Sequence, residues 1–71
     1  MEYAIVRHKP SGDRYAVAFG HNAAIMGAYG PLHGDEGSTT DDLEDIISNQ
    51  ATDYLEETAS WLETQEWERE D

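Results

Sequence analysis

The sequence contains no cysteine, a single lysine and no long apolar run. Without cysteine the chain can form neither a disulfide nor a thiolate metal site, so its stability must come from packing, self-association or a partner. The apolar run at residues 16–19, like the others in the sequence, is far shorter than the roughly 20 residues of a membrane-spanning helix. The first residues also lack the basic region of a signal peptide. We therefore expect a cytoplasmic protein.

Positive charge is scarce, with four Lys and Arg residues against sixteen Asp and Glu residues and a net charge of −12. Nucleic acids and anionic membranes are polyanions and would repel such a chain. We therefore expect neither of them as a direct partner. A strongly basic protein surface is the complementary partner.

Motifs of catalysis are also missing, since the sequence has no phosphate-binding glycine loop, no nucleophile elbow and no CxxC pair. We expect His8, His21 and His33 to be exposed loop residues, because their spacing matches no established metal site. Paired surface carboxylates do not provide acid-base chemistry unless burial raises the pKa of one of them. The chain is therefore expected to be non-enzymatic and to bind no cofactor or metal.

Residues 2–8 and 14–20 alternate in the manner of β-strands, and Pro10 and Gly12 lie between them as turn residues. Residues 23–29 predict a weaker third strand. Residues 2–29 should then form a three-stranded antiparallel β-meander. Val17 and its neighbours Tyr15 and Phe19 should face inward, with Ala16 and Ala18 on the opposite side.

After a glycine-rich connector at residues 30–38, the apolar period changes from two to 3.6 over residues 39–67. This region predicts one long helix or two consecutive helices with a break near residues 48–51, packed on one face of the sheet. Tyr54, Trp61 and Leu62 are expected to lie in the core under the Val17 side. Residues 68–71 are expected to fray as an acidic tail, and the whole chain to be a single α+β domain.

Fourteen of the sixteen carboxylates lie in residues 35–71, where Arg69 is the one opposing charge. On a helical wheel six of them cluster opposite the apolar stripe, and Asp45 and Glu56 would stand about 16 Å apart on a continuous helix. Like charges at i and i+4 destabilise a helix, and acids at its C-terminal end oppose its dipole. We name this predicted set the acidic face: Asp42, Asp45, Asp53, Glu56, Glu57 and Glu63.

Acidity of this kind can also have three more ordinary origins. Any amphipathic helix has a charged outer side, and adaptation to high salt also enriches acids and depletes lysine. Salt adaptation would spread acid over every surface, whereas the hairpin keeps Arg7, Lys9 and Arg14 with little acid. A disordered acidic tail is the third possible origin, and Trp61 and Leu62 in helical register argue against it.

Trp67 lies among acidic residues near the end of the predicted helical region. An exposed indole in such a place is typical of an interface anchor, because tryptophan contributes strongly to binding energy. A last contact on the hydrophobic core is the alternative role.

In size, composition and charge layout, residues 35–71 resemble the acidic proteins by which bacteriophages block host defence, the anti-restriction and anti-CRISPR proteins that imitate the charge of DNA. The resemblance implies a non-catalytic inhibitor in the host cytoplasm that occupies the basic groove of a complex such as a CRISPR surveillance complex. Its contacts would be the acidic face together with Asp35, Glu36 and Trp67. The alternative is a small acidic protein-interaction module of a salt-adapted organism. Either would be a monomer or a weak homodimer.

Overall fold

The computed structural model describes residues 1–34 and 40–70. Three strands come first in the chain, β1 (Glu2–His8), β2 (Arg14–Phe19) and β3 (Ile25–Tyr29), followed by α1 (Thr40–Ser48), α2 (Thr52–Glu63) and a short β4 (Trp67–Arg69). The expected class, α+β with an antiparallel sheet, is confirmed. The described part of the chain has one strand more than the sequence predicted.

The sheet has the strand order β3-β2-β1-β4, with every neighbouring pair antiparallel. The predicted hairpin and third strand are therefore confirmed. The extra strand pairs Trp67 with His8 and Arg69 with Val6. Backbone hydrogen bonds from Lys9 N–H to the Glu66 carbonyl and from Glu70 N–H to the Ile5 carbonyl, both 2.9 Å, extend this pairing at each end.

The C-terminal segment was therefore predicted wrongly. Residues 64–67 are not helical, and residues 68 and 69 belong to a strand rather than to a fraying tail. Trp, Glu and Arg carry no helical or strand period over so short a stretch, and the open edge of β1 supplies the hydrogen-bonding partners that make the segment extended. Glu66, Glu68 and Glu70 therefore oppose no helix dipole, contrary to the prediction of acids at a helical C-terminus.

Both sides of the sheet are buried: α1 packs on one side, and α2 packs mainly on the other and reaches the first side through Leu55. On the side we call the Val17 face, Val6, Val17 and Phe19 pack with Ala59 and Leu62 of α2. On the Ala16 face, Ile5, Ala16 and Ala18 pack with Leu43 and Ile47 of α1. The prediction that the helical region packs on one face is corrected, because the small alanines of β2 leave room for α1 on the side opposite to Val17.

The helical region is divided at Ala51, whose φ of −66° and ψ of 138° are extended. Of the two arrangements left open by the sequence, two helices is the one observed. α2 runs along β3, where Gly27 permits a close approach: a Cβ at this glycine would lie 3.3 Å from Leu55 Cβ. The buried line of α2 contains Ala59 and Leu62, so Trp61 and Tyr54 lie at its border, 41% and 37% exposed, and not in the core.

The prediction that His8 is an exposed loop residue was also wrong, because His8 lies in β1 and is only 6% exposed. Its Nε2 lies 2.9 Å from Gln65 Oε1 and its Nδ1 lies 2.7 Å from Ser11 Oγ. The Gln65 side-chain amide donates to Thr64 Oγ1, so Gln65 Oε1 is the acceptor and His8 Nε2–H the donor of the hydrogen bond between them. The buried ring therefore ties the β1–β2 turn to the segment before β4.

Candidate protein-interaction surface

The predicted acidic face does not lie on a single helix. Asp42 and Asp45 belong to α1, and the other four members belong to α2. Because Ala51 interrupts the 100° rotation per residue, one helical wheel cannot be continued from α1 to α2. The break also means that the spacing of about 16 Å that a continuous helix would give to Asp45 and Glu56 does not apply.

Within α2 the prediction is closer to the structure. Asp53, Glu56 and Glu57 are exposed and line one open depression together with Ser60. Glu56 and Glu63 line the next one along, beside Ile25 and Met26. Helical spacings of three, four and seven residues bring these side chains to one side. α2 therefore presents four carboxylates on a continuous outer surface, which we call the α2 acidic surface: Asp53, Glu56, Glu57 and Glu63.

The cations lie elsewhere, at the β1–β4 edge of the sheet. Arg7 forms an ion pair with Glu68, Arg14 Nε lies 3.4 Å from Glu70 Oε1, and Arg69 Nη2 lies 3.3 Å from Glu2 Oε2. The Arg69 guanidinium also lies over the Phe19 ring, 4.7 Å from its centroid. These contacts give the sheet edge a mixed charge. In contrast, residues 40–63 contain eight carboxylates and no lysine or arginine.

The pKa of the Glu68 carboxyl group at this edge reflects the ion pair of Glu68 with Arg7. A hydrogen bond from Arg7 and the positive charge of the same side chain lower the pKa of Glu68, and Lys9 lowers it further. The hairpin cations are thus accompanied by acid from β4. The sequence argues against salt adaptation because the hairpin itself contains little acid. The structure weakens that argument, because it places acids of the C-terminal segment beside the hairpin cations.

The remaining predicted contacts have varied positions. Asp35 and Glu36 lie outside the described residues. Trp67 lies in β4 with its ring centroid 6.1 Å from that of Phe19, half-buried against the Val17 face. Its contact with the core is therefore established, and its role in binding a partner stays a prediction.

The sequence led to no prediction of a further open, shallow depression beside the α2 acidic surface, which we call the groove. It has a volume of about 390 Å³ and is lined by Tyr15, Gly30 and four residues of α2: Tyr54, Glu57, Thr58 and Trp61. The four α2 positions follow the i, i+3, i+4, i+7 spacing of one helix side, which was the available signal. The sequence instead predicts Tyr54 and Trp61 in the core and Glu57 on the acidic face, so the common side of these residues was not recognised. Their partner Tyr15 is distant in sequence and carried no such signal.

Burial raises the pKa of the Tyr15 hydroxyl above its usual 10.0, with the negative charge of Asp13 and then Tyr54 as further causes. Tyr15 therefore remains a neutral phenol ring in the groove at physiological pH. Among residues 1–34 and 40–70, no group of three His, Asp or Glu side chains is placed to hold a metal ion. The helices of this part of the chain are too short or too polar to cross a bilayer.

The sequence matches no protein-family model, and no significant similarity was found to a curated protein or to a solved structure.

Proposed function

We propose that this protein is a non-enzymatic binder that occupies the basic groove of a nucleic-acid-binding protein or complex and excludes the nucleic acid from it. The main contact would be the α2 acidic surface. Asp53, Glu56 and Glu57 offer carboxylates to arginine and lysine side chains that would otherwise hold phosphates. Such pairs are charge-assisted, and arginine can bind a carboxylate through two parallel hydrogen bonds.

The observation that carries this proposal is the separation of charge in space. Arg7, Arg14 and Arg69 are engaged with acids at the sheet edge, while residues 40–63 carry eight carboxylates and no basic residue. Exposed helices gain stability from pairs of opposite charge at i and i+4, about 0.2–0.5 kcal/mol each. A sequence that forgoes them throughout both helices preserves negative potential instead, which is what attracts a basic groove.

The resemblance to phage anti-defence proteins suggests that this partner is a host defence complex, with a CRISPR surveillance complex or a restriction enzyme as the first candidates. Asp42 and Asp45 belong to α1, and in the described part of the chain they line neither of the depressions that the α2 carboxylates line. We therefore assign them a smaller part than the α2 acidic surface.

The direct test is competition for DNA. A fluorescently labelled DNA duplex bound to a CRISPR surveillance complex or to a restriction enzyme should be displaced by the protein. Direct binding of the protein to the complex, measured without DNA, should weaken steeply between about 50 and 200 mM salt, because the contacts are ion pairs in a groove that binds polyanions. Direct binding that does not change with salt, or no displacement of DNA from either complex at low salt, would contradict the proposal.

The variant Asp53→Lys/Glu56→Lys should lose competition and keep its circular dichroism spectrum, because both side chains are exposed. Asp41→Lys/Glu44→Lys on α1 is the matched control, since it changes the net charge equally with two other exposed side chains. We expect this control to compete nearly as well as the wild type. Equal loss in both variants would mean that net charge alone acts, and would refute the assignment to α2.

The second candidate, a small acidic interaction module of a salt-adapted organism, is favoured by one observation. The structure brings Glu68 and Glu70 beside Arg7 and Arg14, so acid is found near the hairpin as well as on the helices. This candidate predicts a large gain in thermal stability with salt and no displacement of DNA at low salt.

A further inference from the structure

The groove between α2 and the start of β2 has aromatic walls and one carboxylate. Trp61 and Tyr54 are partly exposed along it, and Tyr15 is only 6% exposed, so its ring lies at the base. Glu57 is exposed at the same groove and also belongs to the α2 acidic surface. The groove therefore adjoins the surface to which the proposed function assigns the binding of a basic partner.

The rings of the groove are held in position by neighbours on their other sides. The Trp61 ring centroid is 5.6 Å from that of Tyr15 and 4.9 Å from that of the buried His8. Tyr54 packs against Tyr29 with centroids 5.9 Å apart, and its hydroxyl donates a 3.0 Å hydrogen bond to the Gly30 carbonyl. A ligand would meet walls that are already ordered, which reduces the entropy lost on binding.

Gly30 contributes to the groove because it has no side chain. A Cβ at this position would lie 2.4 Å from one carbon of the Tyr15 ring and under 3 Å from two more. The glycine therefore lets the Tyr15 ring lie against the backbone at the base of the groove. Any larger residue would have to push the ring aside.

The chemistry of the lining favours a cation. Aromatic faces attract positive charge, tryptophan most strongly, and Glu57 adds a full negative charge beside them. Guanidinium is planar, weakly hydrated and able to stack on a ring while its edge pairs with a carboxylate. Ammonium holds its water more tightly and cannot stack. The groove therefore suits arginine better than lysine.

We propose that this groove binds an arginine side chain of the basic protein partner, with the guanidinium stacked on Trp61 and paired with Glu57. This inference rests on the proposed function for the identity of the partner. It adds a specificity that the α2 acidic surface lacks, because exposed carboxylates pair with either cation, whereas stacking on a ring requires the planar guanidinium.

The test uses NMR of the whole protein titrated with the peptide acetyl-Gly-Arg-Gly-Arg-Gly-amide and with its lysine twin. The indole N–H signal of Trp61 should shift with the arginine peptide, whereas that of Trp67, which packs on Phe19 instead, should stay nearly fixed and serve as an internal reference. We expect about tenfold tighter binding of the arginine peptide, because guanidinium can form a second hydrogen bond to Glu57 and a stacking contact that ammonium cannot form. Equal affinity for the two peptides, or equal shifts of the two indoles, would overturn the proposal.

Glu57→Gln should weaken binding of the arginine peptide about tenfold, the usual value of a hydrogen bond to a charged group. Glu44→Gln on α1 is the matched control, because it removes the same charge from another exposed helical site. Gly30→Ala tests the base of the groove by displacing Tyr15, with circular dichroism to confirm the fold. If the Glu57 and Glu44 variants lose affinity equally, the peptide binds by general attraction and the groove is not its site.

Failure of the groove and failure of the proposed function can be told apart, because the peptide titration contains no nucleic-acid-binding protein. A protein that displaces DNA but does not distinguish arginine from lysine would refute the groove alone. A protein that binds the arginine peptide at Trp61 but never displaces DNA would retain the groove and refute the proposed function.

Discussion

The sheet edge and the helices of this protein carry similar chemical groups in opposite arrangements. At the β1–β4 edge each carboxylate of Glu2, Glu68 and Glu70 meets an arginine. Over residues 40–63 eight carboxylates have no basic residue in the same segment. The difference shows that low lysine and arginine content does not by itself make a uniformly acidic surface. The few cations are placed where a strand must be held, and the helices are left negative.

Trp67 anchors the mixed edge, so its removal should have the largest effect on the contrast between the two regions. Trp67→Ala should lower the free energy of unfolding by about 2 kcal/mol, less than a fully buried aromatic residue because the side chain is half-buried. β4 would then lose its packing on Phe19. Urea denaturation followed by circular dichroism measures the effect. Trp61→Ala, at a more exposed position, should cost less, and a larger loss for Trp61 would show that the groove and not β4 is the main aromatic contact.

The two regions should respond in opposite directions when one carboxylate is neutralised. Glu63→Gln should raise the free energy of unfolding by about 0.5 kcal/mol, because an acid at the C-terminal end of a helix opposes the helix dipole. Glu68→Gln should instead lower the melting temperature, since it leaves Arg7 without its partner. Thermal unfolding of both variants at low salt checks this. The same sign in both would mean that the sheet edge gains nothing from its ion pairs.

Acid should reduce the difference between the wild type and Glu68→Gln. The pKa of Glu68 is lowered in the folded state by Arg7, so the unfolded chain binds its proton at a higher pH than the folded chain does. The stabilisation by Glu68 is therefore complete above its ordinary pKa of 4.5 and is lost as the pH falls through the lowered value. Melting temperatures from pH 7 down to about 2 measure this small effect. A difference that stays constant over this range would contradict the ion pair.

The N-terminal half of the fold could be predicted because its signals are local. Alternating apolar residues and the Pro10 and Gly12 turn define the hairpin without reference to the rest of the chain. β4 could not be predicted in the same way, since its extended form depends on pairing with β1 about sixty residues earlier. Ala16 and Ala18 are expected only on the side opposite to Val17, and such small side chains give no evidence in the sequence of the helix that covers them.

The candidate surface could likewise be predicted where it depends on local sequence, and not where it depends on residues that are distant in the chain. The exposure of Asp53, Glu56 and Glu57 follows from the helical period alone. The groove could not be predicted without knowing how α2 is rotated about its axis. In the structure its apolar side is buried, and Trp61 lies at the border of that side, next to Tyr15 of β2. Buried His8 behind Trp61 helps to set that position, and no pattern in the sequence relates these two residues.

The pairing of the first and last strands also has a consequence for the order of folding. The contact of Arg7 with Glu68 spans 61 positions along the chain, so β4 can dock only after a large loop has closed, at an entropic cost that local hairpins do not meet. We expect the β1–β2–β3 meander and the helices to assemble first and β4 to join late. Until β4 docks, Arg7 and Arg14 lack their ion-pair partners Glu68 and Glu70. We therefore expect the partly folded chain to have a positive hairpin and a negative C-terminal half.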